Sequence, residues 1–507
     1  VPRMIDEKEQ QALNDVERRL EKENHLIAER IKKLNELKSQ GINPYPYTFN
    51  QTHHSLELKE KYAHLKPEEM NEDIAHVAGR MTGLRRMGKV TFMHLTDNDG
   101  KIQIYANNEE LANYDELKLY DMGDYVGVTG KIFKTKTGEV TIRTQTIELL
   151  SKSLRPLPEK FHGIQDTEIK YRQRYLDLIM DEESKKRFVL RIKIIKALKE
   201  FLDNKGFMEV ETPVLETIYG GAAARPFLTH HNELDMRLYL RISLELPLKK
   251  IIAGGFEKVY EIGKVFRNES IDTTHNPEFT MMESYWAYAD YHDVMKLVED
   301  TYNYVALAVL GTTKINYQGK EIELKKPWKR MTMKEALVVY GKLDVDKMSE
   351  TEIKTLLDKH KIEYQEDMNR GLLINQLFKI VEEELIQPVF IIDHPKETTP
   401  LCKLHRQDNS LIERFEPYIN GWEVGNAYSE LNDPIRQRYL LEGQAKDLHS
   451  GNAESNPMDE DFCKCVDHGL PPMGGLGLGI DRMVMLFTNA PSIRDVLFFP
   501  TMKPDDK

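Results

Sequence analysis

Val259-Tyr-Glu-Ile-Gly-Lys-Val-Phe-Arg-Asn-Glu-Ser-Ile-Asp-Thr-Thr-His-Asn-Pro-Glu-Phe-Thr-Met-Met-Glu-Ser-Tyr285 is the stretch whose reading decides the fold. Strand-forming residues enter at Val259 and return from Phe279 to Tyr285, with a polar stretch between them, which predicts an antiparallel hairpin with a long loop. The hairpin would gather Arg267 as a phosphate-binding cation, Glu269 as a base-reading carboxylate and the aromatic face of Phe279. His275 and Asn276 lie in the same loop, where they would serve phosphates. Together these residues describe a nucleotide site that has no P-loop.

A second stretch, Gly474-Gly-Leu-Gly-Leu-Gly-Ile-Asp-Arg482, reads as a strand passing into a helix. Gly475, Gly477 and Gly479 are small enough for a ligand to approach the backbone, and Arg482 opens the apolar run Met483 to Phe487, at a junction that can hold it against a phosphate. A dinucleotide fingerprint does not fit, because its third glycine would fall on Arg482. Glu416 and Glu423 stand on opposite faces of a continuous strand, but a hairpin turn at Asn420-Gly421 would bring them together. Residues alone leave that pair open, as a cation site or as solvated edge-strand charges.

The chain has 507 residues, 40% of them hydrophobic, enough for several domains and a large core. No apolar run approaches the roughly 20 residues that cross a bilayer, and no secretion signal is evident at the N-terminus, so no membrane association is expected. Cys402, Cys463 and Cys465 are few and odd in number, which indicates a reducing compartment, read here as cytoplasmic. The net charge of -12 neither supports nor excludes a nucleic-acid partner, because a local basic surface can sit on an acidic body.

Four regions follow. Residues 1–40 predict one long surface helix, either solvated and laced by ion pairs or an RNA-contacting arm with Arg30, Lys32, Lys33 and Lys38 as its basic face. Residues 41–150 hold five short β segments, at 76–79, 90–95, 101–106, 125–132 and 139–142, the pattern of an OB-fold barrel. There Phe92, with Gln103 and Arg80, forms a candidate base-stacking platform; the alternative is a barrel-core aromatic. A linker at 151–165 carries Pro156 and Pro158, and a helix is predicted from Thr167 to Ile179. Residues 166–507 then alternate helices with antiparallel strands, an α+β domain whose sheet is flanked by helices, with a mostly helical insertion at about 330–400.

Arg-Asn-Glu followed by His-Asn-Pro-Glu-Phe resembles the second signature motif of the class II aminoacyl-tRNA synthetases of the aspartate, asparagine and lysine subgroup, subclass IIb. Phe207-Met-Glu-Val-Glu-Thr-Pro213 resembles the first motif, and the stretch ending at Arg482 the third, in the expected order. Tyr171-Arg-Gln-Arg-Tyr-Leu-Asp-Leu-Ile179, His230-His-Asn-Glu-Leu-Asp235 and Asn426-Ala-Tyr-Ser-Glu-Leu-Asn-Asp433 are similar, within that subgroup, to the lysyl-tRNA synthetases.

The resemblance implies activation of L-lysine with ATP and transfer to the 3′ end of tRNA(Lys), by a homodimer whose interface includes Pro213. It places Arg267 and Arg482 as the catalytic arginines and Asn268, Glu269, His275, Asn276, Phe279, Glu423, Val424 and Gly479 with them around ATP. Mg²⁺ would lie on Glu416 and Glu423, and the central anticodon base on Phe92 with Arg80 and Gln103. Lysine carries two ammonium groups roughly 6 to 7 Å apart, which call for carboxylates at both ends of its pocket. Glu245 and Gly221 match the α-amino end, Glu430 and Tyr285 the ε-ammonium end, with Glu283, Asn426 and Tyr428 bordering the cavity. The alternatives are an aspartyl or asparaginyl enzyme of the same subclass, or a catalytically inactive tRNA-binding regulator.

Overall fold

The computed structural model describes residues 7–158, 166–449 and 455–504. The expectations for residues 1–6 of the helical extension and 159–165 of the linker lie outside the described residues. The chain divides into two compact units, Val1–Gly163 and Ile164–Lys507.

In the first unit, the single long helix expected at the N-terminus is two helices, Glu7–Glu23 and His25–Ser39. Asn24 separates them: its backbone is extended (φ -160°, ψ 138°), and its side chain accepts the Leu26 N–H, capping the second helix. Helix Glu7–Glu23 buries nothing, whereas His25–Ser39 buries Ile27, Ile31, Leu34 and Leu37 at helical spacing. Its proposed basic face is divided. Arg30 donates to Met122 O at 2.9 Å and Ser153 Oγ at 2.7 Å, and Lys33 pairs with Asp121, so both are committed to the barrel, while Lys32 and Lys38 remain exposed.

The barrel is closed in the order Met70–Met87, Val90–Thr96, Lys101–Asn107, Val140–Ser151, Tyr125–Lys134. All pairings are antiparallel except that of Lys101–Asn107 with Val140–Ser151. Alternation along Val90–Thr96 sends Thr91, Met93 and Leu95 into the core and Phe92 and His94 to the outer face. Phe92 is therefore not a core residue; its ring meets Tyr105 edge-on at 5.4 Å.

The second unit is built on a nine-stranded sheet. Its strands run in the order Lys329–Thr332, Val389–Pro395, Leu411–Ile419, Gly425–Ser429, Met473–Gly479, Glu278–Ala287, Lys258–Phe266 and Met208–Glu209, with Trp422–Glu423 paired to Leu411–Ile419. The centre is antiparallel and the two end pairings are parallel. Helices Glu182–Asn204, Tyr291–Leu310 and Ile480–Thr488 contribute Leu198, Val298, Met483 and their neighbours to the main core, each such side chain adding roughly 1.5–3 kcal/mol by leaving water.

The helix expected from Thr167 to Ile179 is two short helices, Thr167–Arg172 and Arg174–Met180, broken at Gln173. The break serves Arg174. Fully buried, it pairs with Asp177 at 2.6 Å and donates to the carbonyls of Arg494, Leu497 and Phe498, while Tyr171 Oη reaches Asp495 at 3.1 Å. This segment fastens the C-terminal stretch to the domain; a buried guanidinium without such partners would cost several kcal/mol.

The insertion has its own core, including Leu337, Leu357, Leu377 and Phe378. It also supports the site directly, since the turn at Asn420-Gly421 donates its two amides to Ile386 O (2.9 Å) and Leu385 O (2.8 Å).

Candidate active site

Three adjacent strands make the floor of the site. In register, Glu283, Gly477 and Asn426 form one row across the sheet, and Tyr285, Gly475 and Tyr428 form the next. The middle strand carries glycines on this face, so the flanking side chains stand as walls around a trough. The trough opens into a cavity of about 370 Å³.

The hairpin pairs Lys258–Phe266 with Glu278–Ala287 from Lys258↔Trp286 to Phe266↔Glu278, leaving 267–277 as the loop above one end of the cavity. Arg267, Glu269, His275, Phe279, Glu423, Val424, Gly479 and Arg482 all line that cavity. Arg267 lies 5.1 Å over the Phe279 ring, and its Nε donates to Ile242 O. Burial lowers its proton affinity, opposed by Glu269, Glu423 and Glu283. Arg482 donates to the Glu423 carbonyl and to His275 Nε2 at 3.3 Å. Because a guanidinium can only donate, His275 Nε2 accepts, and the ring proton on Nδ1 points to Asp272 at 2.8 Å. The start of the helix that carries Arg482 is anchored by Asp481, which pairs with Arg191 at 2.6 Å and accepts the Thr280 N–H at 2.7 Å.

Two residues expected around the nucleotide are placed differently from the others. Asn268 is exposed and lies off the cavity, its backbone amide turned to Arg225 O. Asn276 borders the cavity, but its carboxamide is used at both ends, donating to Glu278 O at 2.6 Å and accepting from Thr501 N at 3.3 Å. These two bonds fix the loop and leave the second N–H of the amide uncommitted.

The opposite end of the cavity is acidic. Gly221, Glu245, Glu283, Tyr285, Asn426, Tyr428 and Glu430 all line it. Gly221 sits at φ +84°, and a Cβ there would stand 2.9 Å from Ser243 Oγ and 3.0 Å from Glu245 Cβ. Glu283 accepts from Ser243 Oγ, Leu244 N and Tyr285 Oη, yet burial and Glu245 push it up to about 7. Burial likewise raises Glu430 well above the usual carboxylate range. The Tyr285 hydroxyl is given to Glu283, and Tyr428 gives its own to Glu245 at 2.8 Å.

Two residues at this end escaped the sequence reading. Lys249, one turn after Glu245 on helix Glu245–Ala253, is fully buried and paired with both Glu245 and Glu430. Arg414 lines the cavity, with Nε on Asn426 Oδ1 at 2.9 Å and Nη2 on Glu416 Oε1 at 2.6 Å. Helical i,i+4 spacing was a signal for the first; nothing in the sequence singled out the second.

The expected turn is present, with Asn420 at φ 57° and Gly421 at φ 74°, and it pairs Tyr418 with Glu423. Glu423 reaches the cavity wall, while Glu416 stands behind it, accepting from Arg414 and from Tyr418 Oη at 3.1 Å. Burial and Glu416 push Glu423 up to about 7. Two interacting, buried carboxylates with oxygen ligands fit a divalent cation such as Mg²⁺. Among the described residues no group of three or more His, Cys, Asp or Glu could hold a metal.

In the barrel unit, Phe92 and Gln103 line one groove. Arg80 does not: it donates to Gly123 O at 2.8 Å and stacks on Tyr125. The register explains this, since Arg80 faces Thr96 and Tyr125, whereas Phe92 faces Arg85, which does line the groove. His94, Tyr105 and Arg143 line it as well.

Comparison with known proteins agrees with this geometry. Residues 166–503 match the family described as tRNA synthetases class II (D, K and N), and residues 75–150 match the OB-fold nucleic acid binding domain. A lysine–tRNA ligase of Enterococcus faecalis is 51% identical over 491 residues, 96% of this chain and 98% of that protein. Those of Bacillus subtilis and Pediococcus pentosaceus are each 49% identical, covering 95% and 99% of this chain and 97% and 100% of their own lengths. Matched over almost its entire length, the chain belongs to the lysine–tRNA ligase family of the class II tRNA synthetases.

Proposed function

We propose that the protein joins L-lysine to ATP, forming lysyl-adenylate and pyrophosphate, and passes the lysyl group to the 3′ end of tRNA(Lys). The observation that carries this reading is the pairing of a buried acidic pocket, Glu245, Glu283 and Glu430, with an arginine-walled chamber in one cavity. A carboxylate oxygen of lysine attacks the α-phosphorus; the new O–P bond forms as the bond to pyrophosphate breaks. The nucleophile is already ionised, so the protein needs no general base, and positioning and charge stabilisation supply the acceleration.

Arg267 is placed to contact both the lysine carboxylate and the α-phosphate, and its fork suits two anions at once. Phe279 offers a face to the adenine and Glu269 an acceptor for its amine. Arg482, oriented by Glu423 O and His275, serves the terminal phosphate. Mg²⁺ held by Glu423 and Glu416 would neutralise phosphate charge. In the second step the terminal ribose hydroxyl of tRNA attacks the acyl carbon and AMP leaves. The groove bearing Phe92 and Gln103 is the proposed anticodon site, with Arg85 in the place first given to Arg80.

Homodimerisation and a cytoplasmic location belong to this reading. Met208, Val214, Leu215 and Ile218, around Pro213, are apolar and exposed, as an unpaired interface would be. Among the described residues, no helix is long and apolar enough to cross a membrane.

Amino-acid-dependent ATP–pyrophosphate exchange across all twenty amino acids tests the chemistry, with lysine expected to support it alone. Faster exchange with aspartate or asparagine would overturn the pocket assignment. Sedimentation at nanomolar concentration should show a dimer, and a fully active monomer would refute it.

A further inference from the structure

Lys249 takes no part in the chemistry above, yet it is the most thoroughly enclosed charge near the site. Its side chain has no exposed surface, and its Nζ lies 2.5 Å from Glu245 Oε1 and in an ion pair with Glu430 Oε2. The rings of Tyr428, Phe462 and Tyr285 surround the ammonium at 5.6, 5.9 and 6.0 Å. It is not among the cavity-lining residues, so it sits behind the wall that Glu245 and Glu430 present. Glu430 is thereby divided: Oε2 faces Lys249, and Oε1 lies on the side of Gly475, which lines the cavity.

We propose that Lys249 is a specificity-determining positioning residue, an internal cation that fixes Glu245 and Glu430 beside each other at the acidic end of the cavity and leaves it the charge that a substrate with two ammonium groups neutralises. Three carboxylates, Glu245, Glu283 and Glu430, stand against this one ammonium. With all three ionised the pocket carries two negative charges, matching the two positive charges that lysine brings, while the substrate carboxylate goes to the arginines. The balance has a physical reason. Buried carboxylates without partners take up protons rather than stay charged, and a neutral Glu430 would discriminate poorly between an ammonium and a methyl group. Burial alone would lower the proton affinity of Lys249, but Glu245 and Glu430 outweigh it and hold the ammonium above its ordinary value. Because Lys249 reaches the substrate only through the two glutamates, its loss should be felt at lysine and not at ATP.

The inference rests on the lysine-pocket assignment, and the experiment separates the two. Lys249→Met, Glu430→Gln and the double variant are compared with the wild type in pyrophosphate exchange, with KM for lysine, KM for ATP and the lysine-to-norleucine ratio of kcat/KM as readouts. Lys249→Met should raise the lysine KM at pH 7 by about 30-fold or more, leave the ATP KM within about 3-fold, and lower the lysine-to-norleucine ratio by at least tenfold. The effect of the double variant should fall short of the product of the two single effects, because Lys249 acts in part through that carboxylate. It also removes one of the two carboxylates left without their cation, which keeps the test available if Lys249→Met alone does not fold. Additive effects in the double variant, or lysine and ATP KM rising together with an unchanged ratio, would reduce Lys249 to a structural ion pair and overturn the proposal. An unchanged lysine KM in Glu430→Gln would instead overturn the pocket assignment itself.

Discussion

A Cβ on Gly475 would stand 1.8 Å from Oε1 of Glu430 and 2.6 Å from Cε1 of Tyr285. The central strand can carry no side chain here, because the space belongs to a carboxylate that follows directly on the neighbouring strand Gly425–Ser429. Gly475→Ala must push Glu430 aside, away from the pocket. The expected result is a rise in lysine KM of about tenfold or more, roughly 1.4 kcal/mol, with ATP KM little changed. Steady-state exchange kinetics with each substrate varied in turn checks it.

Proton release should accompany lysine binding. In the free protein, burial and neighbouring acids raise Glu283 to about 7 and Glu430 well above the carboxylate range. The ammonium groups of lysine bind the ionised forms, so affinity should increase as pH rises from 6 to 8 and protons should leave on binding. Titration calorimetry at pH 7 in two buffers of different ionisation enthalpy measures the release; equal heats in both would contradict it.

Arg414 joins the two halves of the cavity by holding Asn426 and Glu416 together. Arg414→Met should therefore raise both the Mg²⁺ concentration needed for half-maximal exchange and the lysine KM, each several-fold. Glu430→Gln should affect lysine alone. An Arg414 variant that altered only one of the two would show that the bridge transmits nothing.

In the barrel, Phe92→Ala should weaken tRNA binding by about 1 to 3 kcal/mol and leave lysine–ATP exchange unchanged. Arg85→Ala should weaken it too. Arg80→Ala should show its main effect in the melting temperature, since its guanidinium serves Gly123 O and Tyr125 rather than the groove. Filter binding with the three variants and thermal unfolding on the same preparations separate these roles.

Local pattern was enough to read the hairpin at Val259 to Tyr285, the Asn420-Gly421 turn and the alternation of the barrel strands, because turn chemistry and the two-residue period of a strand act over a few residues. Breaks at Asn24 and Gln173 were missed. Neither is a Gly or Pro, and each follows from a tertiary demand: docking of helix His25–Ser39 in one case, burial of Arg174 in the other.

The sequence by itself determined the motifs and their order, and with them many of the side chains that line the active-site cavity, though not Arg414. What only the tertiary structure decided is which of those side chains face one another. Arg85 rather than Arg80 meets Phe92 because strand register selects the cross-strand partner. Asn268 leaves the cavity because its loop turns outward, and Lys249 enters the lysine pocket from behind because strand and helix bring Glu430 to the same ammonium as Glu245. Chemistry belongs to residue types, which the chain spells out; pairing of charges depends on distances of a few ångströms between residues far apart in the chain, 181 positions for Lys249 and Glu430, and only the folded chain sets those distances.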